Sequence, residues 1–151
     1  MATQYTAGLA TGQVLTAATM NSIGAAWETF NPTITQGVTL TKTVISSKYS
    51  QINKTIVFQG YYQFTSAGTA GQRVSVALPF TNVGGGTFSV GGSAMFYRAS
   101  INRTYLLVAA FNTGNTIQFF YDNVLDFFGA APAVTVANSD YLAFTITYEA
   151  A

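Results

Sequence analysis

The sequence predicts an all-β protein, a jelly-roll-like antiparallel β-sandwich preceded by one short N-terminal helix. Three observations carry this. Apolar and polar residues alternate with a period of two in run after run beyond Pro32, most completely over residues 55–65. These runs recur about every ten residues, with Gly or Asn between them, as strands of a sandwich or jelly roll do. A helical period occurs only in residues 12–32. The chain therefore divides into an arm and short helix, residues 1–31, and a β-sandwich, residues 32–151.

Residues 1–11 are small and polar without periodicity, and suit either a free tail or an arm that orders on a partner. Thr16 is placed to cap the helix that follows, with Leu15 and Met20 as a hydrophobic staple across the cap. Met20, Ile23 and Trp27 repeat at a three-then-four spacing, one apolar stripe on a helix. Gly24 weakens the last turn, and Pro32 pushes Asn31 toward extended backbone. This segment either closes one end of the β-domain or attaches it to something larger, with Leu15, Met20, Ile23 and Trp27 as the candidate attachment residues.

Alternating Thr and Val predict a strand over residues 38–45 after a break at Gly37, then a turn at Ser46-Ser47, a short strand over 48–52 and a tight turn at Asn53-Lys54. In the longest strand, residues 55–65, Ile56, Phe58, Gly60, Tyr62 and Phe64 share one face. Gly60 in mid-strand points to a bend or a close approach of another backbone. Residues 67–71 form a loop, after which Val74, Val76 and Leu78 alternate. Further strands are expected at 94–97, 104–111 and 116–121, with hairpin connections at Asn102-Arg103 and Thr113-Gly114-Asn115. Residues 122–133 are irregular. In the last strand, 141–149, Leu142, Phe144, Ile146 and Tyr148 alternate with Ala143, Thr145 and Thr147.

Composition narrows the function. Charged residues make up 7% of the chain, against about 25% in ordinary soluble domains. The net charge is +1 and the basic residues are scattered, so the clustered cations that neutralise nucleic-acid phosphates are missing. No apolar run approaches the roughly 18 residues of a membrane-spanning helix, and the first residues do not read as a secretory signal. There is no cysteine and no histidine, which removes disulfides, thiolate metal sites, the usual general base and the Ser-His-Asp arrangement. A near-neutral chain that is 49% hydrophobic and 15% aromatic suits life in an assembly that covers part of its surface.

Chemistry would have to use Glu28, Asp122, Asp126, Asp140 or Glu149. Asp122 and Asp126 form the one close pair, which could serve in glycoside cleavage or bind calcium. Loop hydrogen bonding, or pairing with Arg98 or Arg103, is the plainer role. Asp140 is expected to accept backbone hydrogen bonds in the turn Asn138-Ser139-Asp140. Residues 82–93 contain two glycine clusters but no lysine where a phosphate-binding loop needs one, and they read as a loop and strand bend. Asn53-Lys54-Thr55 and Asn102-Arg103-Thr104 match the glycosylation pattern but suit β-turns equally. The sequence therefore gives no catalytic residue, cofactor or metal. Tyr61, Tyr97, Tyr105 and Tyr121 are candidate exposed aromatics, for sugar stacking or subunit packing. The outward positions Tyr61, Gln63, Ala143 and Thr145 are the candidate subunit interface, because a sandwich of this size has too few charges to solvate both outer faces.

At Val14-Leu15-Thr16-Ala17-Ala18, Met20-Asn21, Trp27 and Pro32 the chain resembles a family of bacteriophage virion proteins. The resemblance continues at Gln36-Gly37, Thr41-Lys42-Thr43, Lys48-Tyr49, Gln51-Ile52-Asn53-Lys54, Gly68-Thr69-Ala70-Gly71 and Leu78-Pro79, and returns at Asn138-Ser139-Asp140 and residues 144–149. It implies a non-enzymatic homotrimeric knob on the virion, assembled in the cytoplasm of a host bacterium. The implied partner is the major capsid protein or another virion protein, and the implied site is a capsid decoration, head fibre or tail-fibre tip. The fibre-tip alternative would bind a host receptor or glycan through loops 66–72, 82–93 and 122–133. Related domains often end a longer fibre, whereas this sequence holds a knob and its lead alone; the expectation therefore leans toward decoration.

Overall fold

Alternation along the chain sets which side of each strand is buried, and the strands assemble accordingly. The computed structural model describes residues 26–83, 89–112, 115–121 and 126–151. Within them lie β1 (Trp27–Thr29), β2 (Ile34–Gln36), β3 (Val38–Thr39), β4 (Lys42–Ile52), β5 (Thr55–Phe64), β6 (Ser75–Ala77), β7 (Ser89–Arg98), β8 (Arg103–Asn112), β9 (Thr116–Phe120) and β10 (Tyr141–Glu149). They form one antiparallel sheet in the order β1-β4-β5-β10-β7-β8-β9-β6-β2-β3. The protein is all-β among the described residues, apart from a 3-10 turn at Ala99–Ile101.

The sheet is curled. β3 and β4 lie eight strand steps apart in the order, nearly 40 Å in a flat sheet. Yet only Leu40 and Thr41 separate them in sequence, a span of at most about 11 Å. The rings of Phe119 on β9 and Phe144 on β10 meet at 6.1 Å, although β7 and β8 stand between their strands. Curling brings the inward faces onto one core holding Ile34, Phe58, Tyr62, Phe64, Phe96, Phe119, Leu142, Phe144 and Ile146. Each such side chain contributes about 1.5–3 kcal/mol by leaving water.

The inward faces of β5 and β10 follow the alternation read from sequence. Ile56, Phe58, Gly60, Tyr62 and Phe64 are buried, as are Leu142, Phe144, Ile146 and Tyr148. The close approach at Gly60 is from side chains: a Cβ there would stand 2.5 Å from the Tyr62 ring and 2.7 Å from that of Phe144. Asn53-Lys54 makes the β4–β5 turn, with Asn53 at a φ of 55°.

Three local expectations are corrected. Trp27, expected on a helical stripe, lies in β1 and pairs with Ser50 of β4, so the sheet begins inside the segment assigned to the arm. The strand expected over residues 38–45 is broken at Leu40, which is buried and donates its N–H to the Ile34 carbonyl. Ser46-Ser47, expected as a turn, lies inside β4 just past a bulge between Val44 and Ser46. Ser47 can sit there because its hydroxyl donates to the Phe30 carbonyl and lies 2.6 Å from the Tyr62 hydroxyl. The helix expected around Leu15, Met20 and Ile23 lies outside the described residues.

Two buried polar side chains tie the loops to the sheet. Gln36, fully buried at the end of β2, donates through Nε2 to the carbonyls of Gln72 (3.0 Å) and Val134 (2.7 Å), and accepts at Oε1 from the Val136 N–H (2.8 Å). Gly68 abuts it so closely that a Cβ would fall 2.1 Å from Oε1. Asp140, also fully buried, accepts from the N–H groups of Ala137 and Ala99, both at 2.9 Å. The bond from Ala137 is the turn contact that the sequence Asn138-Ser139-Asp140 predicts.

Two stability predictions follow from these contacts. Gln36→Leu strands one N–H and two carbonyls in the interior, each costing about 1–3 kcal/mol; chemical denaturation is expected to show a loss of about 3 kcal/mol or more. A loss below about 0.5 kcal/mol, the range of an ordinary surface change, would contradict this account of the core. Alkali supplies the second test. Burial pushes the Tyr62 hydroxyl up to about 12, against a weaker opposing effect of its bond with Ser47, and burial likewise raises Tyr148. Tyr49 also rises to about 12, through burial and then its bond to Glu28. Folded values above the unfolded value of about 10 mean stability is complete below pH 10 and lost as pH climbs toward 12. Lys42, lowered by partial burial, opposes this through a smaller shift. Tyr62 alone accounts for on the order of 2 kcal/mol of the loss. Denaturation midpoints that stay level from pH 10 to 12 would refute it.

Candidate functional site

Titratable groups among the described residues are dispersed. Asp126 meets Arg73 at 2.9 Å, rather than Arg98 or Arg103, and both side chains are about two-fifths exposed. The Arg73 guanidinium also lies 4.9 Å over the Phe127 ring. Glu28 accepts from the Tyr49 hydroxyl at 2.5 Å, and Asp140 is consumed by its turn. Asp122 lies outside the described residues, so the Asp122–Asp126 pair has no geometry to report. No group of three or more His, Cys, Asp or Glu among the described residues is arranged to hold a metal ion.

The outer sheet face is the more distinctive surface. Pairing registers place Ser46, Tyr61, Ala143, Met95 and Leu106 in one row across β4, β5, β10, β7 and β8. The next row toward one end is Lys48, Gln59, Thr145, Ser93 and Val108; toward the other it is Thr43, Gln63, Tyr141, Tyr97 and Thr104. All four candidate interface residues, Tyr61, Gln63, Ala143 and Thr145, therefore stand together on one face. A shallow depression of about 670 Å³ lies over its middle, lined by Tyr61, Met95, Leu106, Ala143 and Thr145 among others.

Leu106 is 75% exposed, the most open of the large apolar side chains on the described surface, with Val108 at 43% and Met95 at 38%. None of these three was singled out from sequence. The signal was present in the unbroken apolar run of residues 105–111: Tyr105, Leu107 and Ala109 face the core while Leu106 and Val108 face outward. A strand apolar on both faces is the pattern of one covered on both faces.

Other candidates fall elsewhere. Tyr61 is exposed, Tyr97 and Tyr121 are half-buried, and Tyr105 is buried beside Phe96 and Phe128, so it is no stacking platform. Trp27 is 45% exposed on the edge strand β1, with the Lys48 ammonium 4.8 Å over its ring. Leu15, Met20 and Ile23 lie outside the described residues. Of the three candidate loops, the first and third converge: Gly71, Gln72 and Arg73 face Asp126 and Ala130 across a polar cleft of about 450 Å³ that includes Ser75 and Gln118.

Because the Arg73–Asp126 pair is solvent-screened, Asp126→Asn is expected to cost less than about 1 kcal/mol. The double change Asp122→Asn, Asp126→Asn is expected to leave fold and assembly intact. Loss of a hydrolytic activity from a folded double variant would show these acids to be catalytic. No protein-family profile, curated protein or solved structure matches this chain.

Proposed function

We propose that this chain is a non-enzymatic structural protein of a bacteriophage virion, a homotrimeric capsid decoration or head-fibre protein attached through its N-terminal segment. The observation that carries this reading is the wide outer sheet face with exposed Leu106, Val108 and Met95 and almost no charge. A chain with 7% charged residues that presents such a face is suited to being covered by neighbours. The sequence resemblance to phage surface knobs supplies the setting, with the major capsid protein or another virion protein as partner. On this reading the curled sheet is a jelly-roll-like β-sandwich, and a short helix precedes β1 in the attachment segment.

A second reading, a fibre tip that binds a host receptor or glycan, is favoured by one observation. Gly71 and Gln72 of the first loop meet Asp126 and Ala130 of the third at a cleft where Arg73, Asp126, Gln118 and Ser75 offer both donors and acceptors.

The N-terminal segment separates attachment from folding. Because β1 belongs to the sheet, the shortened chain must begin at Ala26, which keeps the pairing of Trp27–Thr29 with β4. That chain is expected to fold with the circular dichroism of the full protein and to lose binding to undecorated capsids. Normal capsid decoration by it would refute attachment through residues 1–25. Binding of the isolated protein to host cells but not capsids would favour the second reading.

A further inference from the structure

We propose that the outer face of β5, β10, β7 and β8 is where copies of this chain pack against one another, with Leu106 as its anchor. The inference rests on the homo-oligomer part of the reading above and gives it a surface, but it does not depend on a virion.

The argument starts from β8. Leu106 and Val108 occupy outward positions on a strand whose inward positions are already filled by core residues. On a solvated antiparallel sheet those outward positions would be polar. Across the register Leu106 stands beside Met95, Met95 beside Ala143, and Ala143 beside Tyr61. The exposed apolar groups are therefore contiguous rather than scattered, and contiguity is what marks an interaction surface.

Charge identifies the occupant. From Tyr141 to Thr147 of β10 and the positions beside them on β5, β7 and β8, the outward rows contain no Asp, Glu, Lys or Arg. The charges on this side of the sheet are Lys48, beside Gln59 on the neighbouring β4, and Glu149, opposite Thr55 at the end of β10. This is an uncharged centre with charge at its margin, the arrangement of a subunit interface. A partner bearing charges would have to desolvate them against a face that offers no counter-charge, at a cost of several kcal/mol each. A second copy brings the same uncharged surface, so the match costs nothing electrostatically. Closed symmetry then covers the face without polymerising the protein.

Size agrees. Four strands about 4.8 Å apart and seven residues rising about 3.4 Å each cover roughly 450 Å² in flat projection. That is more than half of the roughly 800 Å² each partner gives to a standard interface, before side-chain relief and the flank of β4 are added. The tyrosines and glutamines elsewhere on this face, Tyr61, Tyr97, Tyr141, Gln59 and Gln63, are residue types that hydrogen-bond across an interface while their apolar atoms leave water.

The test uses the full chain and reads mass in solution. The wild-type protein is expected to sediment as an oligomer across the micromolar range. Leu106→Lys is expected to weaken assembly at least about 30-fold, the scale of a central interface residue, and so to run as a folded monomer with unchanged circular dichroism. Met95→Lys should act in the same direction, which keeps the test decisive if one variant misfolds. Val38→Lys, at a position 49% exposed on the far strand β3, should assemble like the wild type. The chain has no cysteine, so Leu106→Cys supplies a single thiol, expected to react slowly in the oligomer and fast after dilution to monomer. A wild-type monomer at all micromolar concentrations would overturn the proposal, as would wild-type mass for both lysine variants. So would a thiol shielded in a monomer and freed by removing residues 1–25, because the chain's own segment would then be the cover. An oligomer that behaves as expected but ignores capsids would remove the virion reading and leave this one. Capsid decoration by lysine variants of wild-type mass would do the reverse.

Discussion

The loops at one end of the sheet depend on a single buried amide. Gln36 closes β2, and its side chain answers the backbone of two segments remote in sequence, residue 72 on one side and residues 134–136 on the other. Its own main-chain carbonyl accepts from the Thr69 N–H, and Gly68 donates to Val136 beside it. Main-chain groups in loops that run inward have no water to satisfy them, and an unpaired one costs more than a hydrogen bond gains. One amide, with donor and acceptor ends in a plane, serves both loops at once. Without it neither segment could follow the path that covers Phe128 and Val136.

Period-two alternation was legible because it acts within one strand. The inward sets of β5 and β10, the Asn53-Lys54 turn and the Asp140 turn all depend on neighbours a few residues away. What depends on distant partners was not legible. Ser47 reads as a turn residue until Phe30 and Tyr62 arrive to bond its hydroxyl. Trp27 fits a helical spacing, yet β4 offers it an antiparallel neighbour, and pairing prevails over a short local period. Nothing in the sequence marks Gln36 as buried, since a lone glutamine between Thr35 and the break at Gly37 reads as a solvated position.

The candidate surface was half legible. Tyr61, Gln63, Ala143 and Thr145 follow from alternation plus the scarcity of charge, and the registers bring them together. Leu106 and Met95 were hidden because apolar residues in an apolar run read as core by default. Only when the sheet curls one way does it become clear which of Tyr105, Leu106 and Leu107 is left outside.

The position of β10 has a consequence for how the protein comes into being. Between β5 and β7 in the sheet stands the strand synthesised after all the others. While residues 1–140 emerge, β5 and β7 have no partner on their inner edges, and each exposes a ten-residue row of unpaired backbone beside aromatic side chains. Such edges are templates for pairing with other chains. The two halves of the sheet cannot be joined in passing, and contacts of this sequence separation form slowly. The nascent chain is therefore most adhesive just before residues 141–149 emerge, and β10 acts as a keystone whose arrival closes both edges in one step.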